Sequence, residues 1–142
     1  MAEKVFIRQN STFETEILIY NSETRRYQPA GQLQDVTPYG MLLVSLGLCT
    51  SAVLYAYARK HKIGLHEVEL NLQFKRTFKE DCDNCEGIEK YEDRIDLDIA
   101  LEGDLEREER DKLFEISRLC PVHKILENGM KVQSRIVSKG SL

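Results

Sequence analysis

Apolar and polar residues alternate in several stretches of the chain, which predicts the strands of an antiparallel sheet. The clearest alternation runs over Leu65–Thr77, and Arg94–Leu101 has the same pattern and is its expected partner. Nearer the N-terminus, Val5–Ile7 and Phe13–Tyr20 are predicted to be two further strands joined by a polar turn. Because each clear pattern gives one apolar and one polar face, we expect one face of the sheet to be buried.

The longest apolar segment, Met41–Ala58, contains no charged residue. Thr37 can cap a helix and Pro38 suits its first turn, so a helix is predicted from here to about Lys62, with Gly64 ending it. The segment is just long enough to span a membrane, but a helix that is apolar on all sides is also typical of a protein core. We expect the core helix. A chain of this size can barely cover every face of such a helix, which hints at a dimer.

The remaining patterns complete an α+β domain. A second helix is predicted to open at Gly103 or Asp104, and a short third helix follows Pro121 over Val122–Asn128. We expect a single domain, 1–142, with N-terminal strands and a loop over 1–36, the central helix over 37–63, a strand pair over 65–101 with an acidic loop over 78–93, helices over 104–129, and a last strand over 130–138.

Composition narrows the class of protein. The 142 residues are 42% hydrophobic and 31% charged, which is an ordinary globular balance. A net charge of −4 argues against a nucleic-acid partner bound through its phosphates. The N-terminus lacks the pattern of a signal peptide, so we expect a cytoplasmic protein that is not in a membrane. In that reducing compartment the four cysteines are expected to be reactive, metal-bound or buried rather than permanently crosslinked.

Two cysteines fall on predicted helices. Cys120 directly precedes Pro121 and would lie at the N-terminus of the short helix, where unpaired amides favour a thiolate and where His123 could assist. Equally well, Cys120 completes the apolar stripe of the preceding helix. From its surroundings alone, Cys49 is a small buried hydrophobic residue of the central helix.

Cys82 and Cys85 form a Cys-x-x-Cys pair in the acidic loop. Such a pair can ligate zinc or form a redox disulfide, and it can also be a pair of plain surface thiols. A structural zinc needs four ligands, so a metal site here requires a histidine brought near by folding or the same loop of a second copy. The surrounding acids disfavour a thiolate and favour a bound cation.

Two segments, one around Cys49 and one that begins at Cys120, resemble the two cysteine motifs of the OsmC/Ohr family. Thr37–Thr50 resembles the first cysteine motif of that family, in which a proline eleven residues before the cysteine starts a long central helix. Cys120–Leu126 resembles the second motif, a Cys-Pro followed by a short helix. The Cys-Pro-Val-His form looks closer to the OsmC-like subgroup of loosely defined function than to the organic hydroperoxide resistance enzymes.

The resemblance implies an intertwined homodimer, with long central helices between antiparallel sheets and active sites at the subunit interface. It implies that Cys49 is the peroxidatic thiol and Cys120 the resolving one, with an organic hydroperoxide as substrate, an external dithiol as reductant and no cofactor. It further implies an arginine from the N-terminal part of the chain that stabilises the thiolate. Arg25 and Arg26 are the candidates, and Arg8 is a third.

One family feature has no counterpart here. The glutamate that holds the arginine usually follows the helix proline by one or two residues, and these positions are Tyr39 and Gly40. The two cysteine motifs nevertheless favour, as the first hypothesis, a thiol peroxidase of oxidative-stress defence. Two other hypotheses stand beside it. One is a non-enzymatic ligand-binding protein with the same fold, and the other is a metal-binding module that uses Cys82 and Cys85.

Overall fold

The computed structural model describes residues 3–31, 36–78 and 91–140. These residues form five strands and three helices. In chain order they are β1 (Glu3–Asn10), β2 (Thr15–Asn21), β3 (Arg26–Pro29), α1 (Pro38–Lys60), β4 (Gly64–Phe78), β5 (Tyr91–Asp104), α2 (Arg107–Ser117) and α3 (Pro121–Asn128).

The strands form an antiparallel sheet in the order β3-β2-β1-β4-β5. The predicted pairing of the two clearest alternating segments is confirmed, because β4 and β5 pair along their whole length. As the alternation predicts, Val68, Leu70 and Leu72 on β4 are fully buried, while Glu69 and Asn71 between them point to the other face. The mixed α+β class is therefore confirmed.

The predicted start of the second helix is wrong. Gly103 and Asp104 belong to β5, where Asp104 pairs with Gly64 at the start of β4. The helix begins three residues later, after Glu106, whose backbone amide donates to the side chain of Glu109 in a capping box.

The helix α1 begins as the sequence predicts and ends slightly earlier. The hydroxyl of Thr37 accepts a hydrogen bond from the Gly40 amide at 3.0 Å, and Pro38 occupies the first turn. The C-cap is His61, and Lys62 then adopts a left-handed backbone conformation with φ of 54°. Gly64, the predicted end of the helix, is instead the first residue of β4.

One face of α1 packs across β1 and β4 and forms the core with them. The largest fully buried side chains come from these elements and from α2: Ile7, Leu43, Leu54, Leu70, Leu72 and Leu113. Gly47 allows this close packing, because a Cβ atom at its position would collide with the side chain of Ile7. The helix is long and apolar enough to cross a membrane, but its packing against the sheet is that of a buried core helix.

The opposite face of α1 is open in this chain. It is an uncharged stripe of side chains, and those exposed are Pro38, Met41, Leu42, Ser45, Ala52 and Ala56. We call it the open α1 face. The described part of the chain therefore leaves one side of the central helix uncovered.

The structure has no strand at residues 130–138, where the sequence predicts one. Apolar and polar residues do alternate there, but alternation makes a strand only where a neighbouring strand completes the hydrogen bonds. The side chains of Val132 and Ile136 are 84% and 101% exposed, so the apolar positions of this segment are not covered.

Candidate active site

The structure brings Cys49 and Cys120 into contact although they are 71 residues apart in the sequence. Cys49 lies on α1, Cys120 immediately precedes α3, and the two helices pack against each other. The two thiols lie close enough for Cys120 to influence the ionisation of Cys49, and both are free cysteines that form no disulfide. Cys49 is partly exposed, whereas Cys120 is completely buried.

The short helix α3 follows the sequence expectation closely. Cys120 is its N-cap, Pro121 is in its first turn and Gly129 is its C-cap. The Cys120 Sγ atom accepts a hydrogen bond from the backbone amide of His123 at 3.4 Å. Cys120 is thus both a core residue and the cap of α3, so both positions that the sequence offered for it are found.

Burial raises the pKa of the Cys49 thiol above its ordinary value, and the neighbouring Cys120 thiol raises it further. The backbone amide of Val122 opposes these effects, because an N–H group near the Cys49 sulfur lowers the thiol pKa. Within the described residues no cation is among the groups that shift this pKa. The described residues of one chain thus make Cys49 harder to ionise than an ordinary cysteine.

The candidate arginines are not brought to Cys49 within one chain. Arg25 lies in the turn before β3 and Arg26 begins that strand, and both are exposed at the edge of the sheet. Arg8 lies on the sheet face opposite α1, where it forms ion pairs with Glu16 at 3.3 Å and Glu69 at 3.1 Å. Arg8 is therefore excluded as a partner of Cys49 within the same chain.

The aromatic residue at the position of the family's glutamate has its own partners. The Tyr39 ring stacks on Phe74 with 4.7 Å between ring centroids, and Tyr39 also lies near enough to Arg76 to help raise the pKa of that guanidinium. Arg76 also forms an ion pair with Asp93 at 2.7 Å. Tyr39 therefore links the start of α1 to the β4–β5 pair.

The backbone amide and the imidazole ring of His123 have different partners. Its backbone amide contacts Cys120, while its ring Nε2 lies 2.8 Å from Glu127 Oε1, one turn further along α3. Sequence reasoning named His123 but missed Val122, whose backbone amide lowers the pKa of the other cysteine, Cys49. The signal was present in the Cys-Pro dipeptide, which marks a helix start with free amides.

The predicted metal ligands Cys82 and Cys85 lie outside the described residues. Over the described ranges, no group of three or more His, Cys, Asp or Glu side chains could hold a metal ion. The metal-binding hypothesis stays a prediction.

The fold and the site together define a class of protein. It is an α+β chain in which a cysteine on the apolar central helix lies beside a second cysteine, and a proline that starts a short helix directly follows that second cysteine. The model of the OsmC-like protein family matches residues 31–135, and the chain belongs to this family. The resemblance inferred from the two motifs is thereby confirmed.

A solved structure shows the same fold. The OsmC-like hydroperoxide resistance protein from Jannaschia sp. CCS1 aligns over 99% of this chain and 96% of its own, with a TM-score of 0.63 and 12% sequence identity. At that identity the likeness shows the fold alone. No curated protein matches the sequence.

Proposed function

We propose that this chain is a thiol peroxidase that reduces organic hydroperoxides in oxidative-stress defence. The observation that carries the proposal is the contact between the Cys49 and Cys120 thiols, two nucleophiles that meet through the fold. Membership of the OsmC-like family and the hydroperoxide resistance named for the structural neighbour both support it. The uncharged segment of α1 around Cys49 suits an alkyl hydroperoxide better than a polar one.

The chemistry divides between the two thiols by their exposure. The partly exposed Cys49 attacks the peroxide O–O bond as thiolate, becomes a sulfenic acid, and releases the alcohol once the leaving oxygen takes a proton. The buried Cys120 then attacks the Cys49 sulfur, so that a disulfide forms and water leaves. An external cytoplasmic dithiol reduces this disulfide and becomes oxidised in turn.

The experiment for this proposal follows the consumption of cumene hydroperoxide in the presence of a dithiol reductant. We expect one dithiol to be oxidised for each hydroperoxide reduced, over many turnovers. Purified protein that leaves the hydroperoxide concentration unchanged would contradict the proposal.

The active unit is proposed to be a homodimer with sites at the subunit interface. The open α1 face and the exposed Val132 and Ile136 are apolar surfaces that a second copy would cover. In this proposal the dimer also supplies the cation that the described residues of one chain do not bring to Cys49, from Arg25 or Arg26 of the second copy. Such a guanidinium would lower the pKa of Cys49.

Replacing Ala52 by glutamate tests the dimer. Ala52 lies on the open α1 face, so within one chain the new carboxylate points to solvent and the fold is retained. In a dimer that covers this face, the charge is buried without a partner, at a cost of roughly 3–5 kcal/mol. We expect Ala52→Glu to sediment as a monomer, while the wild type and the exposed control Lys60→Glu sediment as dimers. Equal sedimentation of all three proteins would contradict this interface.

A non-enzymatic ligand-binding protein is the second candidate. The raised pKa of Cys49 favours it, because a protonated thiol is a poor nucleophile. A small apolar or thiol-reactive molecule would then occupy the interface. Native mass spectrometry that shows a retained ligand, together with absent peroxide turnover, would support this candidate, and an empty site with rapid turnover would exclude it.

A further inference from the structure

The two thiols of the proposed site differ in what covers them. Cys49 is partly exposed, whereas Cys120 is completely buried in the core cluster that α1, α2 and the sheet form. Cys49 follows Ser45 by four residues and precedes Ala52 by three, so it shares their side of α1, and both of those residues are exposed. A reagent from solvent therefore reaches the Cys49 sulfur before the Cys120 sulfur.

This difference persists in the proposed dimer. The described part of its own chain already buries Cys120, so the binding of a second copy does not uncover it. A peroxidase keeps a path by which the hydroperoxide meets the Cys49 sulfur, and a reducing thiol can enter by that path. The proposed reaction needs no such path to Cys120.

Thiol–disulfide exchange also requires room behind the sulfur that is attacked. The incoming thiolate approaches that sulfur opposite the bond that breaks, so access to each sulfur helps to decide where exchange occurs. Attack at the completely buried Cys120 requires the core to open, which costs free energy. At Cys49 part of the side chain stays uncovered. The fold thus favours exchange at Cys49.

We propose that the external dithiol attacks the Cys49 sulfur of the oxidised protein and that Cys120 is the leaving group. The inference rests on the proposed function and deepens it, because it assigns the order of the reductive steps. The thiolate of the reductant bonds to Cys49 Sγ, the S–S bond breaks, and Cys120 departs with the electron pair. The second thiol of the reductant then attacks the reductant sulfur of this mixed disulfide and frees Cys49. The two thiol protons of the reductant end on Cys49 and Cys120.

The surroundings of Cys120 favour its departure. Its Sγ atom accepts a hydrogen bond from the His123 backbone amide at 3.4 Å, and such a bond is stronger when the acceptor is a thiolate. Burial raises the pKa of the Cys49 thiol, and a thiol with a higher pKa leaves more slowly. Both effects favour the same order of exchange as the difference in exposure does.

Trapping the mixed disulfide with a monothiol tests the inference. The wild-type protein is oxidised with diamide, which takes two electrons and two protons from the thiols, and is then exposed briefly to 2-mercaptoethanol. Acid stops the exchange, and free thiols are alkylated with N-ethylmaleimide in denaturant at mildly acidic pH. Trypsin places Cys49, Cys120 and the Cys82/Cys85 pair on separate peptides, which are residues 27–59, 119–124 and 80–90.

We expect 2-mercaptoethanol on Cys49 and maleimide on Cys120, with about tenfold more adduct on Cys49 than on Cys120. The unfolded oxidised protein is the matched control, because it carries the same disulfide without the fold and should give comparable adduct on both. A native protein with the distribution of the unfolded one, or with more adduct on Cys120, would overturn the inference. So would a native protein in which diamide forms no Cys49–Cys120 bridge.

The trapping experiment uses no peroxide. Adduct on Cys49 in a protein that does not consume cumene hydroperoxide would overturn the proposed function and leave the order of exchange standing. Turnover in a protein whose adduct lies on Cys120 would do the reverse.

Discussion

Replacing Cys49 by serine should abolish the turnover of cumene hydroperoxide, with a loss of roughly 10³-fold or more, since removal of a covalent nucleophile is among the largest single losses in catalysis. The serine hydroxyl is nearly isosteric with the thiol but is a weak nucleophile at neutral pH without an activating base. The measurement is the steady-state rate of hydroperoxide loss with a dithiol reductant.

Cys120→Ser is the matched control for this result. The serine hydroxyl can still cap α3, so the helix should remain intact. We expect the first turnover to survive and Cys49 then to be oxidised to the sulfinic acid, because no resolving thiol captures the sulfenic acid. Mass spectrometry of the Cys49 peptide would show this overoxidation. Equal steady-state rates for wild type and Cys49→Ser would contradict the assignment of Cys49 as the nucleophile.

Removing both candidate arginines should move the reactivity of Cys49 to higher pH. A guanidinium beside a thiol favours the charged thiolate, so its loss raises the pKa of Cys49 and lowers the thiolate fraction at neutral pH. For Arg25→Ala/Arg26→Ala we expect the pKa of Cys49 to rise, seen as an alkylation rate about tenfold lower at pH 7. The rate should recover as the pH rises past the new pKa.

The control for this variant is Arg107→Ala, which removes an exposed arginine at the start of α2. Its pH profile should match that of the wild type. If the double variant also retains the wild-type profile, Arg25 and Arg26 are surface charges and do not activate Cys49.

Local signals explain why much of the fold was predictable. The alternation in β4 and β5 and the Thr37-Pro38 start of α1 are encoded within a few neighbouring residues, and the structure confirms them. The end of β5 was not predictable in this way. Gly103 and Asp104 look like a helix start, but pairing with β4 decides their conformation, and Gly103 lies against the Gly64 carbonyl with φ of 154°.

The short strand β3 and the C-terminal segment show the same dependence on distant neighbours. Every residue of Arg26–Pro29 is exposed, so no apolar alternation marks it, and only its pairing with β2 makes it a strand. In residues 130–138 the reverse holds. Apolar and polar residues alternate there, but among the described residues no strand lies beside this segment to pair with it.

The site was predictable through resemblance rather than through spacing. Nothing in the local sequence of Cys49 distinguishes it from a buried hydrophobic residue, and its partnership with Cys120 came from the two family motifs. The proximity of the two cysteines depends on how α1 packs against α3, which no local pattern encodes. The sequence pointed to the helix start but assigned its amides to Cys120 alone.

The most direct test of the redox pair is a disulfide map of protein treated with one equivalent of organic hydroperoxide. Peptide mass spectrometry without reduction should find Cys49 joined to Cys120 and the bridge lost after addition of a dithiol. Two free thiols at these positions, or oxidation confined to Cys82 and Cys85, would contradict the account.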